Sequence, residues 1–515
     1  MGFQVLDVNI QTGYTPVDLS QKISKKLRIP SQSFTYTIER KSLDSRDKHN
    51  IHWKIRVGVS SPSLRGENPS TSPTLNIPYK KRDKKVVVIG SGPAGFFAGY
   101  VLLFAGFDVI LLEQGADVDT RKARISRFEE TGLLDERSNY GFGEGGAGTF
   151  SDGKLTCRTK TISLERQFIF DSYIEAGAPA EIAYLSSPHL GSDNLLGIIK
   201  TLRETFIEKG GNILFNTKAN RLLLSKDKQL PYAIDTDKGI IDSHYFVFAT
   251  GHSSYETYRH LISIGVPFRV KPFAIGSRVE HSQQSINISQ WGKPVLPGVK
   301  AAEYKLTFNK DSFLPVYSFC MCPGGKVVPA AVTSQTNIVN GMSNYLRNSP
   351  YANAAIVAAV DLPRLLNREL TPLEALDWLE VLEKRFYDYS KGYAAPACLI
   401  HDFLEQRVSQ SFPVTSYPLG LISADFDSLF PQVIVQSLRE GITGFCRKIK
   451  SFDEGVMMGL ESKTSSPIQA VRDEGGKSAG FENLYICGEG SGLAGGIISS
   501  GADGIKTALS ILKSL

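Results

Sequence analysis

Cysteine is scarce, at six residues in 515. The six are Cys157, Cys320, Cys322, Cys398, Cys446 and Cys487, with no pair at CxxC spacing and no histidine cluster near them. This pattern excludes a disulfide framework and a structural zinc site, and no metal is expected. Long apolar runs are also missing. The best stretch, Val101 to Leu112, is broken by Gly106 and Asp108, which excludes a membrane span. The opening MGFQVLDVNI has no basic n-region and carries Asp7, and Leu6 stands where a myristoylation motif needs Ser or Thr. The expected location is the cytoplasm.

What is present is an ordinary globular composition, 42% hydrophobic and 21% charged, in a chain too long for one core. Two or three domains follow. The net charge of +6 is unevenly placed. Residues 1–85 hold 16 Lys and Arg against 7 Asp and Glu, so the rest of the chain is slightly acidic. A solvated basic face explains that excess better than an anionic partner does.

Residues 1–60 read as a small α/β module. Phe3 to Ile10 alternates as a strand, and Thr15-Pro16 starts a helix that runs to about Arg28. Two more strands are expected at Ser33 to Glu39 and Ile51 to Val59. Residues 61–83, rich in Pro and Ser, read as a linker or arm. Further on, Ser192 or Asp193 is positioned to cap a helix ending at Gly210-Gly211. The segments ILFNTKANRLLL and HYFVFATG then read as strands. Residues 266–470 show one firm helix, opened by the capping box of Thr371-Pro372-Leu373-Glu374.

The strongest signal is VVVIGSGPAGFFAGY. A short β-branched strand delivers Gly90-x-Gly92-x-x-Gly95, and a helix follows. Gly90 permits the tight turn, Gly92 lets a pyrophosphate approach, and Gly95 lets the helix pack on the strand. Ser91 and Ala94 supply N–H groups near the helix start, while Pro93 has none to give. Small Gly99 extends the pattern of close packing. Glu113, with Gln114 after it, ends the next strand 23 residues beyond Gly90, the spacing of a ribose 2′-hydroxyl acceptor. This βαβ unit predicts an adenosine diphosphate ligand, without deciding between FAD and NAD.

Near the C-terminus LYICGEGSGLAGGII repeats the strand, glycine turn and helix order. Here the chain resembles the two-dinucleotide-binding-domain flavoproteins of the glutathione-reductase-like class. That resemblance implies FAD, with Gly488 and Glu489 at the ribityl chain and Gly495, Gly496 and Ile497 opening a helix towards the flavin. The class usually has Asp where Glu489 stands. Gly251 closes the matching ATG strand end, and Ala219 falls where the class lies beside adenine. The segments GFGEGGAGTFSDGKL (141–155), KPFAIGSRVEH (271–281), CPGGKVV (322–328), GLESKTSSPIQ (459–469) and GEGSGLAGGI (488–497) narrow the likeness to a family of bacterial and plastid FAD-dependent dehydrogenases.

The expected fold class is therefore α/β. A Rossmann-like FAD-binding domain (84–265 plus 471–515) carries an inserted α+β substrate or cap domain (266–470) and a small N-terminal module (1–60). Gly145 and Gly146, in a second glycine run, are expected to pass close to the flavin. Cys322, Arg278 and Lys463 are the catalytic candidates. For Cys320-x-Cys322 the alternative is a pair of partly buried, inert thiols. For Arg278, Glu280 and His281 it is a surface ion pair, and for Lys463 an ordinary turn. No second βαβ unit is visible, so NAD(P)H is expected only as a transient electron donor. The leading expectation is an oxidoreductase passing a hydride between a small molecule and FAD. A flavoprotein acting on RNA through its basic region, and a non-catalytic FAD-binding protein, are the alternatives. Few aromatic residues in that region argue against nucleic acid.

Overall fold

The computed structural model describes residues 2–67, 74–157, 159, 161–225 and 230–514. Residues 68–73, within the linker expected at 61–83, lie outside the described residues.

The N-terminal module is a three-stranded antiparallel sheet, Gly2–Gln11, His52–Ser61 and Thr35–Asp44 in spatial order, with the helix Pro16–Leu27 against it. Thr15 and Asp18 cap that helix reciprocally. Alternation along the strands buries Leu6, Val8 and Ile10 with Ile55, Val57 and Val59, and helix residues Leu19 and Ile23 close this small core. The module is tied to the body through backbone. Lys41 N–H donates to Tyr184 O (2.8 Å) and Ser186 N–H donates to Lys41 O (2.9 Å).

The strand Lys85–Ile89, apolar and buried from Val86 onward, is the middle of a five-stranded parallel sheet. Tyr245–Phe248 and Leu484–Ile486 lie on one side of it, Asp108–Leu112 and Asn212–Leu214 on the other. Its two faces feed separate cores. Val86 and Val88 pack with the helices Pro93–Phe104, Gly191–Glu208 and Gly496–Lys513. Val87 and Ile89 pack in one continuous core with Phe273, Ile356, Phe386 and Leu438, which belong to the second half of the molecule.

That second half is richer in strands than its sequence suggests. A seven-stranded sheet runs in the order Thr307–Phe308, Val316–Cys322, Tyr351–Val360, Phe273–Ser282, Val456–Glu461, Ala395–Leu399, Leu421–Ser423. Its central strands, such as YANAAIVAAV, are buried on both faces, so they lack the polar alternation that marks a strand. The helix Pro372–Ser390 begins with the expected capping box at Thr371 and Glu374. A second long helix, Gln432–Cys446, has no side-chain cap and so left no start signal.

Two further readings change. The helix expected to be capped by Ser192 or Asp193 starts at Gly191, and Asp193 instead accepts from Tyr345 N–H (2.8 Å). ILFNTKANRLLL is two strands, because Asn216 adopts φ 50° and turns the chain from the parallel sheet into a separate antiparallel meander.

Candidate cofactor and active site

Two helices, Pro93–Phe104 and Gly496–Lys513, lie side by side with their N-terminal ends on one cavity of about 300 Å³. Gly504 permits the approach, since a Cβ there would stand 2.0 Å from Ala94 O. The N–H groups of Ala94 and Gly95 have no intrahelical acceptor, and at the second helix the Gly496 N–H is taken by Glu489 alone. The cavity therefore receives two positive helix ends.

Of the residues singled out for a cofactor, Gly90, Ser91, Gly92, Ala94, Glu113, Gln114, Gly146, Ala219, Gly251, Gly488, Glu489, Gly496 and Ile497 line this cavity. Gly95, Gly145 and Gly495 do not. Gly95 is a packing position, as a Cβ on it would meet Gly90 O at 1.9 Å. Gly145 faces Thr149 and Ile199, away from the cavity.

Glu113 is buried and fully engaged. Ser91 donates to it from backbone (3.1 Å) and hydroxyl (2.7 Å), and Gly115 and Gly143 donate backbone N–H groups (2.8 and 3.1 Å). Glu489 is engaged as well. It accepts from Gly496 N–H (2.6 Å) at the mouth of the C-terminal helix and lies 3.1 Å from His252 Nδ1. Burial raises its pKa, but the His252 ring, the Gly496 N–H and Lys271 pull it below the usual carboxylate range.

The glycine run 143–148 is shaped by a residue that no local motif marks. Arg121 is fully buried and donates to the carbonyls of Asn139, Tyr140, Glu144 and Gly146 at 2.7–3.0 Å. Burial lowers the pKa of its guanidinium to about 10. Glu144 holds the same loop from outside, accepting from Val118 N–H (2.6 Å) and Arg203 (2.8 Å).

The other end of the cavity carries Lys154, Phe319, Cys320, Asn340, Lys463 and Thr464. Lys463 lines the wall as its motif suggested, but its Nζ is committed to Glu383 (2.7 Å) and the Tyr255 hydroxyl (2.6 Å). Arg278 and Cys322 lie behind the wall. Arg278 is fully buried and pairs with Glu461 (3.0 Å), Asn353 (2.7 Å), Asn340 (2.9 Å) and Cys320 O (3.2 Å). Its strand is the centre of the seven-stranded sheet, so the surface ion pair weighed for Arg278, Glu280 and His281 does not exist: all three are buried. Cys322 is buried and donates to Cys320 O (3.4 Å); of the two cysteines, Cys320 is the one that lines the cavity.

Lys154 also carries no signal of its own in the sequence, although it stands within GFGEGGAGTFSDGKL. Its Nζ lies 3.4 Å from buried Asp152, which also binds Arg347 (2.6 Å), and it donates to Met321 O. His252, one residue beyond the ATG strand end, was missed in the same way.

The lining fits an extended dinucleotide. A Cβ built on Gly251 or Gly496 meets nothing within 4 Å, so both glycines bare their backbone to open space. His252 Nε2 and Ser500 Oγ, both on residues lining the cavity, are buried without a hydrogen-bond partner. A polar ligand there gives them one.

Residues 83–255 match the FAD binding domain family, residues 272–464 match the FAD-dependent protein C-terminal domain-like family, and residues 4–60 match a domain of unknown function. A protein of Clostridium beijerinckii is 36% identical over 100% of this chain and 99% of its own length. The chain belongs to this family of FAD-dependent proteins. Its cofactor is FAD. Among solved structures, the family member described here is similar to the FAD complex of CtdE, at 12% identity and TM-score 0.35 over 83% of this chain and 84% of that one. It is similar too to L-proline dehydrogenase from P. horikoshii, at 12% identity and TM-score 0.35 over 85% and 94%. No helix among the described residues is long and apolar enough to cross a membrane.

Proposed function

We propose that this protein is a FAD-dependent oxidoreductase, a dehydrogenase that moves a hydride between a small-molecule substrate or NAD(P)H and bound FAD. One observation carries the proposal: two helix N-termini and a bare-backbone cradle converge on a single cavity whose far end is closed by Lys154, Cys320, Asn340 and Lys463. FAD supplies the two-electron chemistry. The chain supplies position, exclusion of water and charge.

In this scheme Gly90, Gly92 and Ala94 hold the pyrophosphate, with Gly146 pressed against Gly92 from above. Glu113 takes the ribose, exchanging its hydrogen bond from the Ser91 hydroxyl for one from the sugar. Thr217 to Ala219 border the adenine. Gly251, Gly488 and Glu489 border the ribityl chain, and Gly495 to Ile497 present the C-terminal helix dipole to the flavin. A helix N-terminus there favours the negative charge that a reduced flavin acquires. Arg278 acts by positioning the strand that carries Cys320, and Lys463 is held by Glu383 as part of the wall.

The deciding measurement is the visible spectrum of the purified protein before and after anaerobic NADPH. A flavin spectrum that bleaches is the expected result. Absence of flavin, even after incubation with FAD, overturns the proposal.

A further inference from the structure

The strand Val316–Cys322 breaks its register with Tyr351–Val360 between Phe319 and Cys322. At that break Cys320 adopts φ 42°, a left-handed conformation that costs a non-glycine residue free energy. Half-buried Cys320 lines the cavity at this break. Two cations hold the bulge, buried Arg278 donating to Cys320 O (3.2 Å) and half-buried Lys154 donating to Met321 O. Cys322, two residues on, donates its thiol to Cys320 O (3.4 Å) and lies 3.9 Å from Arg278. A strained backbone, a cationic frame and a second thiol thus meet at one sulfur on the cofactor cavity. An inert core cysteine needs none of these.

We propose that Cys320 is a nucleophilic thiolate, that Cys322 is its resolving thiol, and that the pair takes a disulfide as substrate. The inference rests on the oxidoreductase proposal for the source of its electrons, and it names the substrate class of the same cavity. Cys320 attacks one sulfur of RSSR, forming a Cys320–SR mixed disulfide and releasing RS⁻, which takes the proton that leaves Cys322. Cys322 then attacks the Cys320 sulfur, joining the two cysteines and expelling the second RS⁻, which takes a proton from water. Two thiols are oxidised and one substrate disulfide is reduced to two RSH. Reduced FAD is the two-electron donor that restores the pair.

The groups facing Cys320 favour the thiolate. Hydrogen bonding from Cys322 lowers its pKa most, burial opposes this, and Lys154 and Arg278 lower it further against Asp152, leaving it well below the ordinary thiol range. Glu461, on the far side of Arg278, is a further acidic neighbour that opposes the thiolate, and Arg347 and Tyr304 stand near Cys322.

The test uses the full FAD-loaded chain in a Cys157→Ser, Cys446→Ser background, because these are the other half-exposed thiols among the described residues. The probe is the neutral disulfide 4,4′-dithiodipyridine. Expected is a fast phase releasing about two thiopyridone equivalents, with the tryptic peptide of residues 311–326, which holds both cysteines, lighter by about two mass units. Its rate should persist well below pH 7, where an ordinary thiol loses reactivity. Cys322→Ser should release about one equivalent and leave the probe on Cys320, and Cys320→Ser should slow the phase at least roughly tenfold. A Cys320→Ser variant that reacts like its parent, or a parent whose 311–326 peptide never links, overturns the inference. FAD content and NADPH bleaching, read on the same samples, separate this outcome from failure of the oxidoreductase proposal.

Discussion

Gly504 rests on the backbone of Ala94, so close that a Cβ would stand 2.0 Å from the Ala94 carbonyl oxygen. This contact sets the spacing of the two helices whose N-termini share the cofactor cavity. Gly504→Ala must push them apart. We expect a loss of about 1–3 kcal/mol, read by thermal or denaturant unfolding, together with weaker FAD binding. Gly99, on the same helix as Ala94, is different: its Cβ would meet Phe206 and Val109 at an ordinary 3.5 Å. Gly99→Ala should be neutral or stabilising by up to about 1 kcal/mol from helix propensity, although the sequence suggested that small size was needed there.

Gly92→Ala separates cofactor binding from folding. Gly92 has an ordinary φ of −67°, and its added methyl would touch Gly146 Cα at 3.6 Å. The fold tolerates that methyl, whereas a pyrophosphate lying against this backbone does not. The variant should melt like the parent in the absence of FAD and bind FAD at least roughly tenfold more weakly, measured by flavin fluorescence titration. Parent-like FAD affinity would place the pyrophosphate elsewhere.

Arg121→Met should be among the most damaging single changes outside the cavity. It leaves the carbonyls of Asn139, Tyr140, Glu144 and Gly146 buried without their donor. A loss on the order of 3–5 kcal/mol is expected. Protease sensitivity across residues 139–150 and loss of flavin retention would report it.

Glu280 predicts a slope of stability with pH. It is buried, its only hydrogen-bond partner among the described residues is Ser416, and burial raises its pKa to about 7. Between pH 4.5 and 7 the folded protein keeps a proton here that the unfolded chain gives up. Stability from this group is therefore greatest at low pH and falls as pH rises towards 7, by on the order of 3 kcal/mol. Glu280→Gln should remove that part of the slope, seen as the difference between parent and variant unfolding at pH 5 and pH 8. Identical slopes would show that Glu280 is ionised in the fold.

How much of this was legible in the sequence depended on locality. The βαβ unit, the N-terminal module and the capping box at Thr371 are local patterns, and all are in the structure, whereas of the glycines expected near the cofactor Gly145 and Gly495 stand off the cavity. The seven-stranded sheet was not legible, because strands buried on both faces carry no alternation. Cys320 could be suspected only as a partner of Cys322; its exposure comes from a bulge that no propensity announces. Arg121 gave no signal at all. Its role follows from carbonyls 18 to 25 residues away that the chain folds back to deliver.

The core shared between Val87 and Ile89 of the parallel sheet and Ile356, Phe386 and Leu438 of the second half has one more consequence. Two lobes joined by a single oil-tight seam have no cheap hinge. Parting them would strip side chains that contribute roughly 1.5–3 kcal/mol each by staying dry. Traffic to the flavin must therefore pass through movements of individual side chains and short loops at the cavity wall, and the lobes should unfold together as one cooperative unit.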